Sequence, residues 1–83
     1  MNADEIRPLI ESGVADSEVR VDGDGTHFVA QVISDAFTGL SMLKQHRLVY
    51  AALGASMGGA IHALSIQTYT REAWAKARQF QTL

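Results

Sequence analysis

The chain has 83 residues, of which 47% are hydrophobic and 19% are charged, so the composition predicts one small globular domain with a single core and argues against disorder. The net charge is −2, whereas a general nucleic-acid-binding protein usually carries excess positive charge for its phosphate contacts. The absence of cysteine excludes disulfides and any thiolate metal site built by this chain alone.

The N-terminal residues predict an amphipathic helix. Asn2 lies three residues before Glu5, which is a typical spacing at a capped helix start, and residues 6–10 carry an apolar stripe of helical period. Pro8 lies inside this segment, where its ring and its missing N–H disfavour a helix. We therefore expect a first helix that is kinked or begins late.

A β-hairpin is predicted to follow. Residues 18–21 alternate between polar and apolar like a short strand, residues 22–25 (Asp-Gly-Asp-Gly) have the composition of a turn, and residues 27–33 are rich in β-branched and apolar types. The turn also resembles the start of an EF-hand loop. Because the remaining ligands of that twelve-residue pattern are absent, we interpret the four residues as a turn.

The period becomes helical in the second half of the chain. Residues 34–39 predict a short capped turn, and a helix is expected from Ser41 onward. One face of this helix carries residues at spacings of four, three and four: Met42, His46, Val49 and Leu53. Lys44, Gln45 and Arg47 fall largely off that line and are expected to face solvent.

A third strand and a last helix complete the predicted fold. Residues 54–59 contain three glycines and end the helix, residues 61–69 form the third strand, and Thr70 is an N-cap for a helix that reaches about Gln79. Trp74 is expected to anchor this helix on the sheet. The order is α-β-β-α-β-α, and the strand–helix–strand unit predicts a parallel pair of strands.

Four spaced sequence blocks carry a resemblance to a known family: Phe37-x-Gly39, residues 46–50 (His-Arg-Leu-Val-Tyr), residues 61–65 (Ile-His-Ala-Leu-Ser) and Thr68-x-Thr70-x-Glu72-x-Trp74. In order and spacing they are similar to the BolA family over nearly the whole chain. The resemblance implies an α+β fold like the type II KH fold, with helices packed on a three-stranded mixed sheet. It also implies a partner, a monothiol glutaredoxin with a Cys-Gly-Phe-Ser motif.

The resemblance further implies that the two proteins hold a [2Fe–2S] cluster together, for iron sensing or for cluster trafficking and maturation. The glutaredoxin and its bound glutathione would contribute the thiolates, and this chain would contribute histidine. Imidazoles replace thiolates on one iron in Rieske centres, so such a ligand set is chemically reasonable. The lack of cysteine in this chain is compatible with that division.

Three histidines are the candidate metal ligands. Spacing alone favours a buried, hydrogen-bonded His62 on an apolar strand face, whereas the resemblance implies a cluster ligand at this position. His27 follows the hairpin turn, where the family supplies a second ligand; the loop here is short, and the alternative is a surface residue that begins a strand. His46 is interpreted as a packed, hydrogen-bonded helix residue, since the charge of neighbouring Arg47 disfavours a second cation.

Other functions remain as alternatives. No nucleophile or carboxylate pair lies in a recognisable catalytic motif, and a domain of this size has little room for a concave pocket, so we expect a non-enzyme. DNA binding and transcriptional control, attributed to some BolA proteins, would use cations of the last helix (Arg71, Lys76 and Arg78) or of the central helix (Lys44 and Arg47). A third alternative is a homodimeric apo protein. The acidic start is unlike a signal peptide and no run of about 18 apolar residues occurs, so a cytoplasmic location without membrane attachment is expected.

Overall fold

Three helices and three strands make up the computed structural model, which describes residues 2–57 and 63–81, with side chains up to Gln79. The elements are α1 (Ala3–Gly13), β1 (Glu18–Gly23), β2 (His27–Ile33), α2 (Met42–Leu53), β3 (Ala63–Tyr69) and α3 (Arg71–Gln81). The predicted order α-β-β-α-β-α is therefore confirmed. Within the described ranges, no helix is long and apolar enough to cross a membrane.

The sheet is mixed, with the strands in the order β1-β2-β3. β1 pairs with β2 in antiparallel orientation, as a hairpin requires, and β2 pairs with β3 in parallel across the α2 connection. In this register His27 lies opposite Ala63. Strand β2 has the predicted bounds, whereas Ile61 and His62, predicted to begin the third strand, lie outside the described residues.

The core lies on one face of the sheet, beneath α1 and α2. Along β2 the burial alternates from His27 to Val32, so that every second side chain points into the core. The buried core cluster consists of Ile6, Ile10, Val14, Val19, Phe28, Ala30, Val32, Phe37, Val49 and Leu53. These side chains join α1, β1, β2, α2 and the short 3₁₀ turn Asp35–Phe37 into one apolar layer.

Helix α1 begins earlier than predicted. The side chain of Asn2 accepts a hydrogen bond from the Glu5 amide at 3.0 Å, which confirms the predicted cap, and the helix starts with the next residue and runs unbroken through Pro8. The expectation of a late start is wrong because Ile6 and Ile10 are fully buried and hold the helix against the core. Pro8 is exposed, so water can reach the carbonyl that lacks its helical partner.

Two residues of α2 lie differently from their predicted faces. Gln45, expected in solvent, is partly buried: its amide nitrogen donates to the Leu40 carbonyl at 3.0 Å, and its oxygen accepts from the Thr68 hydroxyl at 2.6 Å. The buried Thr68 hydroxyl needs a partner inside the protein, and Gln45 supplies it. Met42, expected on the buried line, is 59% exposed because it lies at the first turn of the helix, whereas Val49 is buried near the middle of the core.

Helix α3 packs on the opposite face of the sheet through its first turns. The Thr70 hydroxyl accepts from the Ala73 amide at 3.2 Å, which confirms the predicted N-cap. The ring of Trp74 is buried, with its centroid 5.1 Å from that of Tyr69, and the Arg20 guanidinium lies 5.3 Å from the same ring. Trp74 is therefore the anchor that the sequence predicts.

Candidate metal centre at the start of strand β2

His27, one of the two predicted ligands, is an exposed side chain at the first position of β2. Alternation along the strand directs Phe28 into the core, so His27 and Val29 lie on the other face of the sheet. No hydrogen bond to the His27 imidazole occurs within the described part of the chain. The ring nitrogens are thus accessible, as ligand atoms must be.

The hairpin turn holds the backbone of His27 in place. The Asp24 carboxylate accepts from the Thr26 amide at 2.9 Å and from the His27 amide at 2.8 Å, and the Asp24 amide donates back to the His27 carbonyl at 3.2 Å. Gly23 is required at its position because a Cβ atom there would overlap the Phe28 ring and the His27 carbonyl. The predicted hairpin turn is therefore confirmed, but it lies at residues 24–26 rather than 22–25, because β1 extends past Val21 to Gly23.

The Asp24 carboxyl group is stabilised in its charged form by these contacts. The His27 amide hydrogen bond is the largest cause that holds the pKa of Asp24 below its ordinary value of 3.8, followed by the Thr26 amide and, more weakly, by the positive potential of the His27 ring. Because the folded-state pKa is below the unfolded value, the stabilisation is complete above pH 3.8. It is lost as the pH falls through the lower, folded-state pKa.

We expect an acid titration to report this turn directly. In an NMR titration, the amide shifts of Thr26 and His27 should move together with a midpoint below pH 3.8, because protonation removes the charge from their shared acceptor. In Asp24→Asn, which keeps an acceptor oxygen but has no titrating group, the same amides should not show this transition. A midpoint above 3.8 in the wild type would contradict the assigned hydrogen bonds.

His62, the other predicted ligand, lies outside the described residues. The residue that follows it in the chain, Ala63, is the β3 partner of His27. Within residues 2–57 and 63–81, no group of three or more His, Cys, Asp or Glu side chains is arranged to hold a metal ion. Among the described residues, His27 is therefore an exposed candidate ligand at this end of the sheet.

His46 is partly buried on α2. Its Nε2 atom is shielded from solvent and, among the described residues, has no hydrogen-bond partner. The prediction that His46 is packed is confirmed. The prediction that it is hydrogen-bonded is wrong for this atom.

Two of the five cations named for DNA binding are already paired within the protein. Arg71 donates to the Asp16 carbonyl at 2.8 Å and lies 3.8 Å from the Asp35 carboxylate, so it ties α3 to two loops. Lys76 pairs with Glu72 at 3.4 Å. No ion pair with a described residue is formed by the other three cations, which are Lys44, Arg47 and Arg78.

Comparison with known proteins assigns the family. The model for the BolA-like protein family matches residues 10–73 of the chain. This range includes all three strands and α2. The chain belongs to the BolA family. The match also covers the hairpin turn, His27 and the sequence block around His62.

Relatives in the BolA family differ in length and in name. BolA-like protein 1 of Homo sapiens is 48% identical over 60 residues, which are 72% of this chain but only 44% of that protein, so the chain spans less than half of this relative. Acid stress protein IbaG of Escherichia coli is 35% identical over 80 residues, 95% of each chain. In the same organism, the DNA-binding transcriptional regulator BolA is 38% identical over 52 residues, 63% of this chain and 50% of that protein.

A solved structure confirms the fold. The structure of a bolA protein homologue from Coxiella burnetii superimposes with a TM-score of 0.82 and 43% sequence identity, over 90% of this chain and 97% of that one. The α+β architecture inferred from the sequence blocks is therefore the BolA fold.

Proposed function

We propose that this BolA-family protein is the partner of a monothiol glutaredoxin and contributes imidazole ligands to a shared [2Fe–2S] cluster, for iron sensing or for cluster trafficking and maturation. The observation that carries the proposal is the β2–β3 register, in which exposed His27 lies opposite the residue that follows His62. Neighbouring strands are about 4.8 Å apart. His27 therefore lies beside Ala63, the described residue that follows His62 in the chain, although His27 and Ala63 are 36 apart in sequence.

The residues present fit part of a cluster site. His27 is exposed, as a ligand shared with a second protein must be, and the Asp24 turn fixes its backbone. With no cysteine in the chain, the sulfur donors come from the glutaredoxin cysteine and from glutathione. When bound, the cluster supplies one-electron redox chemistry, and its potential depends on how many imidazoles replace thiolates. The proposal makes the protein a binding partner and assigns it no catalytic step.

Reconstitution with histidine variants tests the proposal. The apo protein is mixed with a monothiol glutaredoxin, glutathione, iron and sulfide, and the heterodimer is followed by visible absorption and circular dichroism. We expect His62→Ala to change the spectrum and to speed cluster loss to a chelator by about tenfold or more, and His27→Ala to do the same if it is the second ligand. His46→Leu is the matched control, because His46 is partly buried on α2, and it should behave as the wild type.

Pulsed EPR of the reduced heterodimer supplies an independent readout. Nitrogen coupled to the iron pair is expected in the wild type and should be lost in the variant that removes the ligand. A wild-type spectrum and wild-type cluster lifetime in His62→Ala would reject this residue as a ligand. If His62→Ala and His27→Ala each keep the wild-type spectrum and the wild-type cluster lifetime, the proposed function is rejected.

DNA binding is the second candidate function, and two observations favour it. A relative is named as a DNA-binding transcriptional regulator, and Lys44 and Arg47 are exposed on α2 without an ion pair among the described residues. A gel-shift titration over salt tests it: binding at physiological salt that weakens in Lys44→Ala and Arg47→Ala supports this function. Because Arg71 and Lys76 are already paired within the protein, their removal should matter less.

A further inference from the structure

The sheet has two edge strands, and only one of them is protected by charge. The order β1-β2-β3 leaves one side of β1 and one side of β3 without a neighbouring strand among the described residues. Such an edge presents unpaired N–H and C=O groups to other chains, and charged side chains or proline are the usual protection. β1 carries charge at every second position, at Glu18, Arg20 and Asp22. β3 has the sequence Ala-Leu-Ser-Ile-Gln-Thr-Tyr, with neither charge nor proline.

One hydrogen bond shows which backbone groups of β3 face its free edge. The Tyr69 carbonyl accepts from the amide of Ser34, the residue that follows β2, at 2.9 Å, so Tyr69 directs its backbone groups toward β2. The N–H and C=O of one strand residue point to the same edge, and this direction alternates along the strand. Ser65 and Gln67 therefore also face β2. The residues that direct their N–H and C=O groups to the free edge are Leu64, Ile66 and Thr68.

The apolar core is incomplete at the same edge. In the β2–β3 register, Leu64 and Ile66 lie beside two residues that are at most 2% exposed, Phe28 and Ala30. Leu64 and Ile66 themselves are only partly buried, because no described strand lies on their far side. Met42, whose sulfur is 3.5 Å from the Thr68 hydroxyl, is 59% exposed. Another strand at this edge would cover apolar surface as well as form hydrogen bonds.

A second copy of β3 is complementary to this edge. In antiparallel pairing centred on Ile66, the middle residue of β3, the two Ile66 residues face each other and Leu64 of each copy faces Thr68 of the other. These opposed residues all direct their N–H and C=O groups outward, so each pair exchanges two hydrogen bonds. On the other face of the sheet, Ser65 lies opposite Gln67 of the second copy. No charged residues oppose each other, and the two-fold symmetry closes the assembly as a dimer.

We infer that this protein forms a two-fold dimer through antiparallel pairing of β3 with β3 of a second copy, which joins the two sheets into one of six strands. This pairing assigns a specific interface to the homodimer that the sequence left as an alternative, and it is independent of the proposed cluster. Because the interface is a single pair of strands, the dimer is weak and its population depends on concentration.

Sedimentation velocity over a concentration series to about 1 mM tests the pairing. The wild type should shift from monomer to dimer. In Ser65→Lys/Gln67→Lys, lysines lie directly opposite lysines at two positions, and the dissociation constant should rise by at least about tenfold. The matched control Ala51→Lys/Ala75→Lys adds the same charge at exposed positions of α2 and α3 and should stay within about twofold of the wild type. Circular dichroism melting verifies that both variants are folded.

A charge swap identifies the opposed positions. Ser65→Glu/Gln67→Glu should also be monomeric by itself, because carboxylates then oppose carboxylates. An equimolar mixture of the lysine and glutamate variants places each lysine opposite a glutamate and should form a dimer at least as readily as the wild type. A mixture that stays monomeric overturns the antiparallel pairing.

Amide hydrogen exchange gives a readout for each residue. The amides of Ser65, Gln67 and Tyr69 face β2 and should be protected at every concentration. The amides of Leu64, Ile66 and Thr68 should gain protection only as the dimer forms. A wild type that remains monomeric throughout the series overturns the inference. A dimer in which these three amides exchange as in the monomer, or which persists in the lysine variant, is formed by another surface and overturns it as well.

Discussion

Replacing Phe37 with alanine is expected to destabilise the domain by about 3–5 kcal/mol, the usual range for a buried phenylalanine. Phe37 is 0% exposed and belongs to the core cluster, although it lies in the short 3₁₀ turn between β2 and α2. A domain of this size is stable by only about 4–12 kcal/mol. The variant should therefore lose a large fraction of its total stability.

Urea denaturation followed by far-UV circular dichroism measures the effect of Phe37→Ala as a large fall in the midpoint. Leu43→Ala is the matched control, because Leu43 is 60% exposed on α2 and alanine is a good helix former. It should change stability by no more than about 0.5 kcal/mol. Similar midpoints for the two variants would show that Phe37 does not pack in the core as described.

Replacing Trp74 with alanine is expected to release α3 from the sheet while the rest of the fold remains. The buried Trp74 ring packs against Tyr69 in a tilted arrangement, and the Arg20 guanidinium lies over it. Removal of this ring should cost about 3–5 kcal/mol. Arg71 also holds the start of α3, through the Asp16 carbonyl and the Asp35 carboxylate. The loss should therefore be local rather than global.

Amide hydrogen exchange distinguishes local release of α3 from a global loss of stability. In Trp74→Ala, the amides of α3 should lose protection, whereas those of β2 should keep most of it because β2 is the central strand. Trp74→Phe retains an aromatic ring on Tyr69 and should restore most of the protection of α3. Wild-type protection of α3 in Trp74→Ala would mean that the helix is held by other contacts.

The elements with a clear local pattern were predicted well. Strand β2 has its predicted bounds because its β-branched and apolar residues alternate without interruption. The caps at Asn2 and Thr70 are confirmed because a cap is a contact over three residues, which the sequence displays directly. The hairpin turn could be predicted for the same reason, because it depends on Asp and Gly residues that are close together in sequence.

Two of the errors share one cause, which is contact between residues distant in sequence. Gln45 was expected in solvent, but its partner Thr68 is 23 residues away, and no local period reveals such a pair. Pro8 disfavours a helix locally, yet the burial of Ile6 and Ile10 against the sheet outweighs that cost. For the candidate site, the family resemblance implies a ligand at His27, whereas the exposure of this residue and its place opposite Ala63 depend on how the sheet packs.

Local sequence alone determined the order of helices and strands, their caps and turns, the absence of thiolate ligands and the family resemblance of the chain, because all of these depend on residue type and short spacing. Tertiary structure decided that Arg71 pairs with Asp35, which apolar side chains of α2 stay exposed, and which residue faces His27. Those properties arise when the sheet and helices pack together. Burial and contacts between distant segments are set by neighbours in space, and a linear pattern does not contain them.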